Sequence, residues 1–269
     1  MQKEITSTQN SFIKELIQLK DKSRVRKKTQ TFLIEGLREI SLAIKGSYEI
    51  STILVDTSII KNREIETLIK ASKSTFEVIH ISNEVYKKLA LRETTEGILA
   101  VAKCKNLDIN SIKLTSKNPL ILIAEAPEKP GNIGALLRTA DAAGIDAVFI
   151  ANPKTDIYNP NIIRTSIGCV FTTTIATGST AEIISYLKEK NINMYGAALT
   201  ASVEYQSINY IEASAIIVGT EATGLTEDWL KNTTKNIIIP MRGAIDSMNV
   251  SVSAAIILFE AVRQRQIPN

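Results

Sequence analysis

Six short apolar stretches in the C-terminal part of the chain alternate with stretches of helical spacing. The strand candidates are 120–124, 147–150, 171–175, 194–198, 215–218 and 237–239. Helices are predicted between them near 132–143, 160–167, 180–190 and 226–231. Regular alternation of this kind is typical of a parallel sheet that helices cover on both faces. The pattern therefore predicts an α/β domain whose ligand site lies in the loops at the carboxyl ends of the strands.

A second, smaller α/β unit is predicted ahead of this domain. Its strand patterns lie at 31–35, 53–55, 76–81 and 98–102, with helical patterns before and between them. Residues 106–118 are mostly polar, which is typical of a linker. The 269 residues are therefore predicted to form an N-terminal domain over 1–105, a linker over 106–118 and the parallel-sheet domain over 119–269.

The segment 237–265 combines a strand, a loop and a long apolar helical stretch. Pro240 cannot continue the hydrogen-bond ladder of the strand. Asp246, Ser247 or Asn249 can each cap the helix, which is predicted to start between 247 and 250. Apolar side chains occupy most of the circumference of this helix, whereas a surface helix has one apolar stripe. The helix is therefore expected to be covered on several sides, in part by a second subunit.

Composition excludes several classes of chemistry. His80 is the only histidine, which removes Ser-His-Asp, Cys-His and histidine-rich metal sites. Cys104 and Cys169 have no metal-ligand spacing and are expected to be reduced thiols. No stretch approaches the roughly 18 apolar residues of a membrane-spanning helix, and the polar N-terminus is not a signal peptide. These features predict a cytoplasmic protein without a bound metal.

The net charge of +4 is concentrated near the N-terminus. Residues 1–30 contain eight Lys and Arg against three Asp and Glu, a net charge of +5, so the remaining residues carry −1. Such a segment is either a solvated face or a surface that binds a phosphate backbone. The candidate nucleic-acid contacts are Lys22, Arg24, Arg26, Lys27 and Lys28, together with Arg38 and Arg164.

Three polar loops follow strand candidates of the C-terminal domain. The first contains PGNIGALLRTADAAG at 130–144, which lacks the glycine spacing of Rossmann and P-loop nucleotide sites. The second is VGTEATGL at 218–225, whose glutamate fits either a turn or a site acid. The third is PMRGAIDSMN at 240–249, where Ser247 and Asn249 fit helix caps as well as ligand contacts. Each loop by itself is also explained by local structure alone.

In this order and spacing, the three loops resemble the three motifs of the SpoU (TrmH-type) RNA ribose 2′-O-methyltransferases of the SPOUT superfamily. The resemblance covers 120–265. ITSTQNSFIKELIQL, TFLIEGLREI and EGILAV resemble the RNA substrate-binding domain that precedes the catalytic domain in ribosomal-RNA members. Two positions depart from the family pattern. Thr95-Glu96-Gly97 replaces the usual Pro-Gln-Gly, and Met248 replaces a leucine, but neither change removes a polar catalytic group.

The resemblance implies S-adenosylmethionine as the cofactor, a deep trefoil knot in the C-terminal domain, and a homodimer. The implied active-site residues are Asn132, Arg138, Glu221, Ser247 and Asn249. The implied cofactor contacts, many of them through the backbone, are Leu199, Gly219, Thr220, Ile239, Met241 and Met248. Arg138 is expected to position a phosphate and a ribose, because a guanidinium does not readily give up its proton. Glu221 is expected to orient Asn132 or Arg138.

The expected function is methyl transfer to a ribose 2′-hydroxyl of ribosomal RNA, in the large subunit. Two alternatives are a transfer-RNA 2′-O-methyltransferase of the same superfamily and a non-catalytic RNA-binding assembly factor. The separate basic N-terminal domain favours ribosomal RNA, and the complete set of five active-site residues favours an enzyme. A nicotinamide oxidoreductase is the rival at the level of the fold, but the chain lacks its glycine fingerprint.

Overall fold

The computed structural model describes residues 3–72, 75–92, 96–200, 202–220, 222–244 and 246–266. The chain forms two compact units. The N-terminal unit comprises Met1–Lys105 and Asp156–Thr172, and the C-terminal unit comprises Asn106–Thr155 and Thr173–Asn269. Each unit combines strands and helices, so the predicted α/β class is confirmed.

The described residues form twelve strands and ten α-helices. The strands are β1 (Lys3–Ile5), β2 (Thr31–Glu35), β3 (Ile50–Val55), β4 (Glu77–Ile81), β5 (Ile98–Lys103), β6 (Leu120–Glu125), β7 (Ala147–Ala151), β8 (Ile175–Gly178), β9 (Asn193–Ala197), β10 (Ser202–Glu204), β11 (Ser214–Val218) and β12 (Lys235–Ile238). The helices are α1 (Ser11–Asp21), α2 (Ser23–Thr29), α3 (Leu37–Lys45), α4 (Asn62–Ala71), α5 (Asn83–Leu89), α6 (Pro130–Ala143), α7 (Pro160–Thr165), α8 (Thr180–Glu189), α9 (Glu227–Asn232) and α10 (Val250–Gln266).

The N-terminal unit contains a mixed five-stranded sheet in the order β1-β4-β3-β5-β2. Strand β4 is parallel to β1 and β3, whereas β5 is antiparallel to β2 and β3. Helix α1 buries Ile13, Leu16 and Leu19 in the core of this unit, as its apolar spacing predicts. The structure thus confirms a small α/β domain at the N-terminus.

An aromatic cluster brings residues 156–172 into the N-terminal unit. The ring of Tyr158 stacks on Phe32 with 4.3 Å between the ring centroids, and Phe171 lies 5.8 Å from Phe32 on the same measure. Tyr48 packs edge-on against Tyr158 and Phe171. The N-terminal unit is therefore built from two separate stretches of the sequence.

The C-terminal unit contains a seven-stranded sheet in the order β10-β12-β9-β11-β6-β7-β8, and every pair in it is parallel. All residues of β6, β7 and β11 are buried, because helices cover both faces of a parallel sheet. Four neighbouring strands, β12, β9, β11 and β6, end at one edge. The three polar loops of the sequence leave this edge.

Helix α10 packs against α6 and β11. Its residues Ala254, Ile257, Leu258 and Ala261 are buried, while Val252 and Phe259 are 47% and 49% exposed. A single chain therefore covers only part of the apolar surface of this helix. No helix among the described ranges is long and apolar enough to cross a membrane.

The structure differs from the sequence predictions in four places. The strand predicted at 171–175 is β8 at Ile175–Gly178, because Phe171 packs into the aromatic cluster instead. Strands β1 and β10 are edge strands too short to show a period. Residues 23–29, within the basic N-terminal segment, form α2, where the sequence patterns do not predict a separate helix. The stretch 106–118 belongs to the C-terminal unit, where Ile109 is buried in the core.

Candidate active site

The carboxyl edge of the parallel sheet gathers most of the predicted site residues. Leu199 follows β9, Gly219 and Thr220 follow β11, and Ile239 and Met241 follow β12. These three strands are neighbours in the sheet, so their parallel arrangement brings the three loops to the same place. The predicted cofactor contacts are therefore brought together by topology, although they are far apart in sequence.

Helix α6 carries the first motif. Pro130 occupies its first turn, where the missing N–H costs nothing and the fixed φ suits a helix. Ile133, Leu136 and Leu137 are buried against the sheet. Asn132 and Arg138 lie on the outer side, partly exposed and exposed respectively. The apolar face thus directs both polar side chains away from the core.

Asn249 joins the first turns of α6 and α10. Its Nδ2 donates to Oδ1 of Asn132 at 3.4 Å. Its Oδ1 accepts hydrogen bonds from the backbone N–H of Ser251 at 2.9 Å and from the Ser251 hydroxyl at 2.6 Å. Asn249 therefore caps α10 and also reaches the first motif, so both interpretations offered by the sequence apply. Ser247 is exposed nearby in the chain, and its hydroxyl donates to Asp246 at 3.2 Å.

The loop after β11 is closed by a pair of backbone hydrogen bonds. The N–H of Thr220 donates to the carbonyl of Gly224 at 3.0 Å, and the N–H of Gly224 donates back at 3.1 Å. A Cβ at Gly219 would lie 2.1 Å from the carbonyl carbon of Gly224, so this position accepts only glycine. Glu221, the predicted carboxylate of this loop, lies outside the described residues.

Apolar side chains are unusually accessible around this loop. Leu199 is 63% exposed, and Ile239, Met241 and Met248 are partly exposed. Exposed apolar side chains beside backbone N–H and C=O groups suit a flat heterocycle that also needs hydrogen bonds. Across the described parts of the chain, no group of three His, Cys, Asp or Glu residues could hold a metal ion.

The predicted RNA contacts divide into two kinds. Six of them are exposed cations of the N-terminal unit, namely Lys22, Arg24, Lys27, Lys28, Arg38 and Arg164. Arg26 is different, because it is only 3% exposed and pairs with Asp156 at 2.6 Å. Its guanidinium also donates to the carbonyls of Leu19 and Lys20. The structure thus corrects the prediction for Arg26, whose charge is used within the fold and does not face a ligand.

The departure at 95–97 lies beside a buried polar cluster that the sequence did not reveal. Thr95 is outside the described residues, but Glu96 accepts a hydrogen bond from the N–H of Leu37 at 2.7 Å. Arg92 pairs with Glu96 at 3.3 Å and with the buried Glu39. Burial raises the pKa of the neighbouring Glu35, although the N–H groups of residues 91 and 92 donate to it. Glu96 therefore accepts on both carboxylate oxygens, whereas the glutamine of the family pattern has one acceptor oxygen and could make only one of these contacts in the same way.

Comparison with known families identifies the chain. Residues 119–259 match the SpoU rRNA Methylase family, and residues 10–100 match an MRM3-like substrate binding domain. The chain therefore belongs to the SpoU rRNA methylase family, and the resemblance seen in the three motifs is confirmed.

Particular relatives match over nearly the whole length. The chain is 32% identical to the 23S rRNA (guanosine(2553)-2′-O)-methyltransferase RlmP of Bacillus subtilis (strain 168), over 96% of this chain and 98% of that protein. It is 26% identical to a 23S rRNA (uridine(2479)-2′-O)-methyltransferase of Streptomyces viridochromogenes, over 89% and 85% respectively.

Solved structures agree with these sequence matches. A crystal structure of an RNA 2′-O ribose methyltransferase superposes with a TM-score of 0.84 and 38% identity, over 98% of this chain and all of that one. The SpoU methyltransferase AviRb from Streptomyces viridochromogenes, in complex with AdoMet, superposes with a TM-score of 0.87 and 25% identity, over 96% and 98%.

Proposed function

We propose that the chain transfers a methyl group from S-adenosylmethionine to a ribose 2′-hydroxyl of 23S ribosomal RNA. The observation that carries this proposal is the convergence of the three family motifs at the carboxyl ends of adjacent parallel strands. Both relatives that match over most of the chain are 23S ribosomal RNA enzymes, which supports ribosomal over transfer RNA. That substrate also supports the expected cytoplasmic location.

The cofactor side of the site is formed by loop backbone and apolar side chains. Leu199, Ile239, Met241 and Met248 would hold S-adenosylmethionine together with the backbone of Gly219 and Thr220. When bound, this cofactor supplies a methyl group on a sulfonium, and its leaving thioether is neutral. The residues around it therefore need to hold and orient, and none of them has to protonate a leaving group.

The acceptor side is formed by the polar residues of α6 and the segment before α10. Arg138 would orient a phosphate and a ribose with its planar guanidinium. Asn132 and Asn249, which already contact each other, would fix the hydroxyl, with Ser247 holding the loop. Glu221 would orient Asn132 or Arg138. The hydroxyl proton would leave late, to an RNA phosphate or to solvent.

The exposed cations of the N-terminal unit would bind the RNA backbone. Lys22, Arg24, Lys27 and Lys28 lie on or beside α2 and are all exposed. Arg38 on α3 and Arg164 on α7 add two further exposed guanidinium groups in the same unit. Positive side chains that neutralise phosphates give an affinity that falls as salt rises.

Two further properties belong to this proposal. The trefoil knot in the C-terminal domain is supported by membership of the family. A homodimer is supported by α10, which leaves the apolar side chains of Val252 and Phe259 about half exposed. We also propose that the N-terminal unit is the RNA substrate-binding domain and the C-terminal unit the methyltransferase domain, with the first boundary after residue 105.

Methyl transfer to defined RNA tests the function directly. The full chain is incubated with labelled S-adenosylmethionine and ribosomal RNA from cells that lack the gene, with chelator present, and 2′-O-methylated nucleotides are mapped. We expect a new 2′-O-methyl group in 23S RNA, and calorimetry in chelator should still show cofactor binding. Transfer to transfer RNA alone, or a strict metal requirement, would contradict the proposal.

A further inference from the structure

A buried carboxylate outside the predicted site joins four segments of the C-terminal unit. Glu125, the last residue of β6, is 2% exposed. Its Oε2 accepts hydrogen bonds from Nε1 of Trp229 at 2.6 Å and from the Thr180 hydroxyl at 2.8 Å. Its Oε1 accepts from Nδ2 of Asn152 at 3.1 Å. We call these four residues the Glu125 cluster.

The other three members of the Glu125 cluster follow three different strands of the sheet. Asn152 follows β7, Thr180 begins α8 after β8, and Trp229 lies in α9. The cluster is closed by a hydrogen bond from Asn152 to the Thr180 hydroxyl at 2.8 Å. One side chain at the end of β6 thus holds three segments that follow other strands of the sheet.

Two of the anchored segments lead directly into the candidate active site. The chain turns sharply at Ala126, with φ +40, and then enters α6 with Asn132. Trp229 stands at the other end of the loop that begins at Gly219, and its ring packs in the same core as Leu225 of that loop. Glu125 therefore holds the start of the acceptor-side segment and the far end of the cofactor-side loop.

The hydrogen-bond polarity of the cluster requires an acceptor at the position of Oε2. The indole Nε1 can only donate, and Thr180 uses its own hydrogen toward Glu125 while accepting from Asn152. A glutamine could keep its oxygen at this position and turn its NH₂ group toward Asn152, whose exposed amide can rotate to present Oδ1. A leucine has no acceptor, so it would leave the buried indole N–H of Trp229 without a partner.

We propose that Glu125 is a positioning residue for the methyl transfer: through Trp229 it sets the placement of the Gly219 loop relative to the segment that carries Asn132. The proposal rests on the proposed function. Glu125 acts through other residues and does not itself contact the cofactor or the RNA.

The test compares Glu125→Leu and Trp229→Phe with a matched control, Glu182→Gln. Glu182 is an exposed carboxylate that caps α8 by accepting from Ser179 at 2.7 Å, so its loss weakens the helix of Thr180 without touching Trp229. Calorimetry gives the Kd for S-adenosylmethionine, and methyl transfer gives kcat and KM, for all of them.

Loss of the hydrogen bond between Glu125 and Trp229 should change the Kd and kcat of the folded protein. We expect Glu125→Leu and Trp229→Phe each to raise the Kd for S-adenosylmethionine about fivefold, the effect of one buried hydrogen bond. We expect kcat at saturation to fall about tenfold, because the reacting groups are misplaced. The double variant should show no further loss, and Glu182→Gln should keep the wild-type Kd even with a lowered Tm.

A purely structural role would lower only the folded fraction, leaving the Kd and KM of folded molecules unchanged. Wild-type Kd and kcat in Glu125→Leu, or in Trp229→Phe if the first variant does not fold, would overturn the proposal. Wild-type chain that neither binds S-adenosylmethionine nor methylates RNA would instead overturn the proposed function, so the two failures are distinguishable.

Discussion

At the scale of single residues, two arginines of this chain have opposite surroundings. Arg138 is exposed on α6, within the first motif. Arg26 lies in a run of cations but is buried, with a carboxylate and two backbone carbonyls as partners. Substituting the first should therefore affect the reaction, and substituting the second should affect the stability of the fold.

Arg138→Ala should abolish methyl transfer and leave the Kd for S-adenosylmethionine within a few-fold of wild type. Arg138→Lys should fail nearly as badly, because an ammonium cannot orient a phosphate and a ribose with one planar group. Calorimetry and single-turnover transfer to 23S RNA measure the two effects. Near-normal turnover by the lysine variant would mean that Arg138 acts only as a point charge.

Arg26→Gln should lower the free energy of unfolding by about 3 kcal/mol, because it leaves the Asp156 carboxylate buried without its partner. The neighbouring Lys27→Gln is the control, and an exposed substitution should change stability by less than about 0.5 kcal/mol. Urea titration of the full chain measures both. Equal stability of the two variants would contradict the structural role of Arg26.

The variants Arg26→Gln and Lys27→Gln also distinguish a contribution to stability from a contribution to RNA binding. Lys27→Gln should reduce the log-log salt slope of RNA binding by about 0.7, as for one phosphate contact to a single strand. Substitutions are preferable to deleting residues 1–30, because that segment contains β1 and three buried side chains of α1. An unchanged slope would assign Lys27 to a merely solvated face.

At the scale of elements, the sequence predicted what depends on local pattern. Strands β6, β7, β9 and β11 lie close to their predicted ranges, because strands buried on both faces are continuous apolar runs. Asp156, the partner of Arg26, lies 130 residues away, and Trp229 lies 104 residues from Glu125. The local spacing of apolar residues cannot predict pairs of side chains that lie so far apart in the sequence. Hence the motif loops were found from the sequence and the Glu125 cluster was not.

The Gly219 loop gives a prediction at this scale. Gly219→Ala should lower Tm and weaken S-adenosylmethionine binding, since the added methyl would overlap the backbone at Gly224. Gly131→Ala is the matched control, because a Cβ at Gly131 meets nothing within 4 Å. Thermal melting should show wild-type stability or slightly higher for this control, as alanine favours a helix. Equal Tm values for the two variants would contradict the close contact at Gly219.

At the scale of the whole molecule, helix α10 determines the expected assembly. The helix buries one side against α6 and β11 but leaves Val252 and Phe259 accessible. These residues are seven positions apart, two helical turns, so they lie on the same side of the helix. Apolar side chains aligned in this way favour a second copy of the chain as the missing cover.

Sedimentation of the purified chain should therefore give twice the 29.5 kDa of one chain. Phe259→Glu should shift this equilibrium toward monomer, because a carboxylate in an apolar interface loses hydration without gaining a partner. Arg263→Gln is the control on the same helix, since its exposed pair with Glu260 contributes little. A wild-type monomer at micromolar concentration, or a Phe259→Glu variant that still sediments as a dimer, would contradict this assignment.

The two-part construction of the N-terminal unit restricts how this chain can exchange parts with its relatives. A recombination event that replaced residues 1–105 alone would exchange Arg26 and Phe32 while keeping their old partners Asp156, Tyr158 and Phe171. The new residues would then face a buried ion-pair partner and stacked rings that they do not match, and small changes of shape at such contacts lower the stability of the fold. Asp156–Thr172 and the N-terminal stretch are therefore expected to be inherited together, although they are separate in the sequence.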